Sequence, residues 1–191
     1  MQKSGLASLA FFYFDSRDDQ KKDLRGLLSS VLFQLSAQSD PYHDILSKFY
    51  LSHLCGAQNP SDDALVHCLT DILNLPGQAP IYLIVDALEE SLNSSTPSSS
   101  GEQVLLFVED LINARLPNLR MCVTSRPEAD IRVVLEPLAF RFISLHNESG
   151  QLDDINNYIK SFVNSNRKMR RWKMEDKQLV IDVLIKRADG M

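Results

Sequence analysis

Glycine is scarce in this chain, and none of it stands where one particular chemistry needs it. The seven glycines are Gly5, Gly26, Gly56, Gly77, Gly101, Gly150 and Gly190. None precedes Lys-Ser or Lys-Thr, so the sequence holds no G-x-x-x-x-G-K-[ST] loop, whose backbone N–H groups cradle nucleotide phosphates. Cysteine is nearly as sparse. Cys55, Cys68 and Cys122 are odd in number and follow no C-x-x-C spacing, which argues against a disulfide framework and suits a reducing cytosol. His53, Cys55, His67 and Cys68 match no common zinc spacing, and Cys68 falls on the apolar side of a helical pattern. No apolar run approaches the roughly 20 residues needed to span a bilayer. Lys3 followed by Leu6 to Phe14 has the look of a signal-peptide core, but the run ends in Asp15-Ser16-Arg17-Asp18-Asp19 without a cleavage site, so a strand explains it better. Excess positive charge is missing too. The net charge of −5 argues against a nucleic-acid binder. A cytoplasmic protein is expected, with neither nucleic acid nor membrane as partner.

What the sequence does hold is enough for one domain and a small appendage. With 191 residues, 44% of them hydrophobic, roughly 70% of the unfolded surface can be buried without disulfide staples. Leu9 to Phe14 reads as a first strand. Leu24, Leu27, Leu28, Val31, Leu32 and Leu35 recur at three and four, predicting a helix over about 21–37 capped by Asp18 or Asp19. Asp40-Pro41 opens a second helix. Ser61 caps a third, whose inward residues are Leu65, Cys68, Leu69, Ile72 and Leu73, and Leu75-Pro76-Gly77 stops it. Asn93 to Gly101 is a low-complexity loop expected to be mobile. Helices are also predicted around 104–112, 128–135, 153–164 and 175–187, and strands at 119–124 and 140–145. This alternation spells an α/β protein with a parallel sheet flanked by helices.

The most informative stretch is Ile81-Tyr82-Leu83-Ile84-Val85-Asp86-Ala87-Leu88-Glu89-Glu90. Five apolar residues in succession predict a strand buried on both faces. Asp86 then lies at its carboxyl end, the edge on which open α/β sheets bind ligands. A carboxylate there can hold Mg²⁺, and a nearby Glu can orient or deprotonate a water. If the strand over 119–124 runs parallel, Thr124-Ser125-Arg126 shares that rim. The planar guanidinium of Arg126 suits a phosphate. The bland alternative is that the acids cap a loop and Arg126 pairs with one of them. Ser125 has no histidine arranged near it for nucleophilic catalysis.

Three segments together resemble the NACHT family of signal-transduction nucleotide triphosphatases, above all the fungal NACHT proteins and the related nephrocystin-3-like N-terminal domains. Leu9 to Asp15 is similar to the family's second strand. Ile81 to Glu90 is similar to its extended Walker B segment, with Glu89 where the family typically has aspartate. Val123-Thr124-Ser125-Arg126-Pro127-Glu128, followed by Asp130-Ile131, is similar to its sensor strand. Weaker echoes are Asp154-Ile155 with Tyr158-Ile159, Trp172, and Ala188-Asp189-Gly190-Met191.

The resemblance implies a partial P-loop NTPase-like sheet over 1–146, with the start of a helical subdomain over 147–191. It also implies that Asp86 carries the Mg²⁺ role, Glu89 and Glu90 the water-activating role, and Thr124 and Arg126 the contact with ATP or GTP, of which Arg126 senses the γ-phosphate. Self-association or other signalling domains are the implied partners. In the family the phosphate loop lies before the segment at Leu9. The expectation is therefore a fragment, inactive alone and holding no nucleotide tightly, or else a nucleotide-independent interaction scaffold. With the phosphate-loop strand missing, the strand over 140–145 is expected either to shift onto 119–124 or to stand isolated. Arg167 to Lys173 is a dense basic stretch, read as a solvated connection with Trp172 tucked into the core.

Overall fold

The computed structural model describes residues 6–92, 100–144 and 149–188. Two compact units divide at Ala139 and Phe140, a few residues ahead of the expected boundary at 146. The first unit holds β1 (Ser8–Tyr13), α1 (Leu24–Ser36), α2 (Asp40–Ser52), α3 (Asp62–Leu73), β2 (Ile81–Asp86), α4 (Glu89–Leu92), α5 (Ser100–Asn113), β3 (Leu119–Val123) and α6 (Ala129–Leu135). The second holds α7 (Ser149–Ser165) and α8 (Met174–Ala188), which pack on each other and bury Val163 and Ile181.

The three strands form one parallel sheet in the order β1-β2-β3. Register is set by alternation. Ala10 pairs with Leu83 and Leu83 with Met121, while Phe12 pairs with Val85 and Val85 with Val123. These rows point to one side and join Leu27, Leu28, Val31, Leu32 and Leu35 of α1, Leu69 and Ile72 of α3, and Val104 and Val108 of α5 in a single core. The periodicity of α1 thus translates directly into its buried stripe. The helix is shorter than 21–37 because its cap is Asp23, whose carboxylate accepts from Gly26 N–H at 2.9 Å. Asp18 instead closes a turn, accepting from Gln20 N–H. Gly26 fits because a Cβ there would meet the Gln20 carbonyl oxygen at 2.1 Å. Ser61 caps α3 as expected, accepting from Ala64 N–H.

Two further expectations fail. β2 is not buried on both faces. Ile81, Leu83 and Val85 are inside, but Tyr82 and Ile84 are exposed, as are Phe11 and Tyr13 beside them. An apolar run cannot reveal whether a second layer exists to cover it. Nor does a strand form over 140–144. Phe140, Phe142 and Ile143 are exposed and have no regular structure, neither paired with β3 nor standing as a separate strand. A strand needs a neighbour for its backbone groups, and the described residues offer none. Leu145 and the loop at 93–99 lie outside the described residues.

The two edges of the sheet are finished differently. Ser8 N–H donates to Pro80 O and Phe14 N–H to Asp86 O, so Leu9 and Phe11 turn their backbone groups outward. Two glutamines of α1 meet them. Gln38 accepts from Leu9 N–H at 2.9 Å and donates to Leu9 O at 2.7 Å. Gln34 does the same for Phe11 at 3.1 and 2.7 Å. Each side-chain amide stands in for a neighbouring strand. On β3, Ile81 N–H donates to Asn118 O and Thr124 N–H to Val85 O, so the odd-numbered residues face outward. The Arg120 guanidinium donates to Leu119 O at 2.9 Å, while Met121 and Val123 have no strand beside them among the described residues.

Two outcomes follow. Replacing Gln34 and Gln38 together by Ala removes the four hydrogen bonds to β1, each contributing about 0.5–1.5 kcal/mol. Urea unfolding should show a loss of about 2–6 kcal/mol, and light scattering an increase in self-association through the opened edge. Wild-type stability in that variant would show the amides to be ornamental. Burial in α3 pushes the Cys68 thiol up to about 11, with Asp71 adding to the shift. Native protein at neutral pH should therefore be alkylated at Cys55 and Cys122, which are exposed, and at Cys68 only after denaturation.

Candidate functional site at the strand ends

All three strands end on the same rim because they are parallel. Asp86 closes β2, and its carboxylate accepts a hydrogen bond from the Thr124 hydroxyl. That hydroxyl in turn accepts from Ala87 N–H at 3.2 Å. Thr124 O accepts from Leu88 N–H at 3.1 Å. The carboxyl ends of β2 and β3 are thus laced together by one threonine, used through its side chain and both backbone groups.

Ala87 makes the lacing possible at a cost. Its φ of 55° lies in the left-handed region, which disfavours a residue with a Cβ by roughly 1–2 kcal/mol. The turn drives Leu88 into the core, at 1% exposure, and starts α4 with Glu89 folded under the rim. Glu89 is 7% exposed against 72% for its partner Arg126. One oxygen accepts from Arg126 N–H at 3.1 Å, and the other lies 3.4 Å from the guanidinium Nε. Glu90 reaches the other way, to the loop after β1. It accepts from the Ser16 hydroxyl at 2.6 Å and more weakly from Ser16 N–H at 3.4 Å.

The five residues singled out from the sequence, Asp86, Glu89, Glu90, Thr124 and Arg126, therefore share one rim. Ser16 escaped notice, although its position just after a strand parallel to β2 places it on this edge. Asp15 beside it is held below the usual carboxylate range, chiefly by the Arg17 guanidinium, with which it forms a two-point contact at 2.9 and 3.1 Å.

The chemistry open to this rim is limited by how fully its acids are already engaged. Among the described residues no group of three or more His, Cys, Asp and Glu is placed to hold a metal ion. Mg²⁺ can manage with one or two carboxylates when substrate phosphates and water complete its shell, and Asp86 has the right type and position for that. Among the described residues nothing on the rim is built to cradle phosphates.

A three-stranded parallel α/β unit with a polar rim at its carboxyl edge defines an α/β protein of the open-sheet class. The chain belongs to the family described as nephrocystin 3, N-terminal, whose model matches residues 1–126. That span takes in all three strands and ends at Arg126, the last rim residue. No curated protein and no solved structure matches the chain. Among the described residues no helix is long and apolar enough to cross a membrane.

The Glu90 contact makes a pH prediction. The Ser16 hydroxyl, then its N–H, hold the Glu90 carboxyl below its ordinary range, with the Arg126 charge adding to them and burial and Asp15 opposing. A depressed carboxyl contributes stability that is fully present above its ordinary pKa and is lost as pH falls through the folded value. Ser16→Ala should raise the Glu90 titration midpoint toward the ordinary value, as read by carboxyl NMR. The variant should also lose less stability than wild type on acidification. An unmoved midpoint would remove Ser16 from the site.

Proposed function

We propose that this chain carries the metal-facing and sensing side of a NACHT-type nucleotide switch, and that alone it neither holds nor turns over nucleotide. The observation that supports this reading is the meeting of Asp86, Thr124, Glu89 and Arg126 on one rim of a parallel sheet in a chain without a phosphate loop. In this reading Asp86 faces Mg²⁺, Glu89 and Glu90 are the candidates for directing a water, and Thr124 and Arg126 face the phosphates of ATP or GTP. Arg126 must leave Glu89 to do so. Its guanidinium is exposed and moves readily, but its departure takes a donor from the buried Glu89 carboxylate, so the incoming phosphates must offset that loss. Nucleotide would act by rearranging these contacts and with them the surfaces offered to other signalling domains or to further copies, in the cytoplasm.

The missing cradle sets the expected affinity. Charge-assisted hydrogen bonds contribute about 1.5–3 kcal/mol each. Lacking three of them weakens binding by at least about a thousandfold, at 1.4 kcal/mol per tenfold. A micromolar site thereby becomes millimolar or weaker. A second reading, a nucleotide-independent interaction scaffold, draws on the edge of β3, unpaired among the described residues, and on the exposed apolar side chains of Phe11, Tyr82 and Ile84.

Calorimetry of the purified chain with Mg²⁺ and ATP or GTP should show binding no tighter than millimolar, and phosphate release at the buffer rate. Mg²⁺-dependent turnover that disappears in Asp86→Ala would overturn the claim of inactivity. If Asp86→Ala and Arg126→Ala leave even weak binding untouched, the rim is not a nucleotide surface and the scaffold reading stands.

A further inference from the structure

The densest run of positive charge in the chain lies in the second unit, where the nucleotide reading makes no use of it. Arg167, Lys168, Arg170, Arg171 and Lys173 fall within seven residues with no acid between them. The whole chain carries −5, so setting these five aside leaves −10 on everything else. They sit in the connection between α7 and α8, which is wound tightly. Met169 N–H donates to Asn166 O at 3.0 Å and Trp172 N–H to Met169 O at 3.1 Å. Lys168 N–H donates to the Asn166 side chain at 2.9 Å. The connection is therefore a shaped turn, not a loose linker.

Arg167, Arg170 and Arg171 line one concavity of about 460 Å³. Among the described residues none of the five cations is ion-paired. The nearest acids in sequence, Glu175 and Asp176, occupy the first turn of α8. Gathering guanidinium groups in this way is repulsive unless an anion joins them. Trp172 is not in the core, as its sequence context suggested, but 44% exposed, and Met174 after it is 78% exposed. The same short stretch thus presents positive charge and large apolar side chains to solvent.

We infer that the turn over 166–174 docks the chain on an anionic lipid surface, the three arginines taking phosphate-bearing headgroups and Trp172 lying at the headgroup level. Guanidinium forks match phosphate oxygens, and the three arginines face one open concavity. Tryptophan favours the membrane–water interface, and basic clusters favour anionic leaflets. A nucleic-acid backbone is the poorer partner. It needs a track of cations along its length, whereas the flanking helices mix Asp153, Asp154, Glu175, Asp176 and Asp182 with Lys160, Lys177, Lys186 and Arg187. A lipid surface brings mobile headgroups to a patch one turn wide.

Trp172 is the only tryptophan, so its emission reports on this turn alone. With vesicles of phosphatidylcholine plus phosphatidylserine, the full chain should co-sediment and its emission shift to the blue. Vesicles of phosphatidylcholine alone should do neither, and high salt should reverse the binding. Each cation near an anionic surface contributes about fivefold in partitioning. Arg170→Ala with Arg171→Ala should therefore weaken binding about 25-fold, while Arg17→Ala with Arg132→Ala leaves it unchanged. Should circular dichroism show the first pair misfolded, Arg170→Gln alone should weaken it about fivefold. Binding that is absent, equal on neutral vesicles, or indifferent to the arginines overturns the proposal. So does binding of inositol hexakisphosphate or of a single-stranded RNA oligomer without vesicle binding, which would assign the turn to a soluble phosphate or to nucleic acid.

Discussion

The fold of the first unit depends on a single row-by-row agreement between its three strands. Ala10, Leu83 and Met121 lie side by side across the sheet, as do Phe12, Val85 and Val123, and both rows face the leucine stripe of α1. A shift of one residue in any strand would turn its apolar set away from that stripe, so burial fixes register. Register then fixes the rim. Asp86 meets the threonine that follows β3 only because Val85 is opposite Val123. The site is in this sense a by-product of core packing, and the glutamine amides along β1 and the threonine lacing between β2 and β3 secure what packing has already chosen.

That rim is closed on itself. Each acid takes a donor from beyond a neighbouring strand: Glu90 from the β1 loop, Asp86 and Glu89 from beyond β3. The contacts differ in how easily they open. Arg126 has most of its side chain in water, so its guanidinium is free to move, although leaving takes a donor from the Glu89 carboxylate. Glu89 is buried and also takes the Arg126 backbone N–H, so moving Glu89 would strand a donor and a charge together. Any rearrangement at this rim therefore begins with arginine swinging out while the carboxylate stays. The left-handed turn at Ala87 is retained because both neighbours profit, Leu88 by burial and Ala87 N–H by its bond to Thr124.

Much of this was legible from residue order because it rests on local signals. The stripe of α1, the Ser61 cap and the stop at Leu75-Pro76-Gly77 are written in a few neighbouring residues. The sharing of a rim by Asp86 and Arg126 needed only the inference that the strands are parallel. What was not legible depends on partners distant in sequence. Asp23 takes the cap of α1 from Asp18 because the chain turns once more before the helix starts. Ile81 to Val85 looks like a doubly buried strand, since alternation is hidden when both sets of residues are apolar. Phe140 to Ser144 has the composition of a strand and no neighbour to make it one. Trp172 looks like a core residue until the turn that carries it is seen to wind outward. Ser16 belongs to the rim through a hydroxyl, and a lone serine in a polar loop carries no signal of its own.

The unequal edges of the sheet bear on both functional readings. An edge strand left bare is a template for association, and proteins commonly blunt it. Here α1 supplies two glutamines at a four-residue spacing, which matches the helix repeat to the outward-facing residues Leu9 and Phe11 of β1. Among the described residues no such device covers Met121 and Val123 of β3. The same strand ends in Thr124 and leads to Arg126, so whatever adds to that edge also abuts the rim. A phosphate-binding strand and loop placed there would bring donors toward Asp86. A strand from an interaction partner placed there would sit beside the same threonine without need of nucleotide. The two readings thus make the same physical demand on β3 and differ only in the chemistry of what meets it.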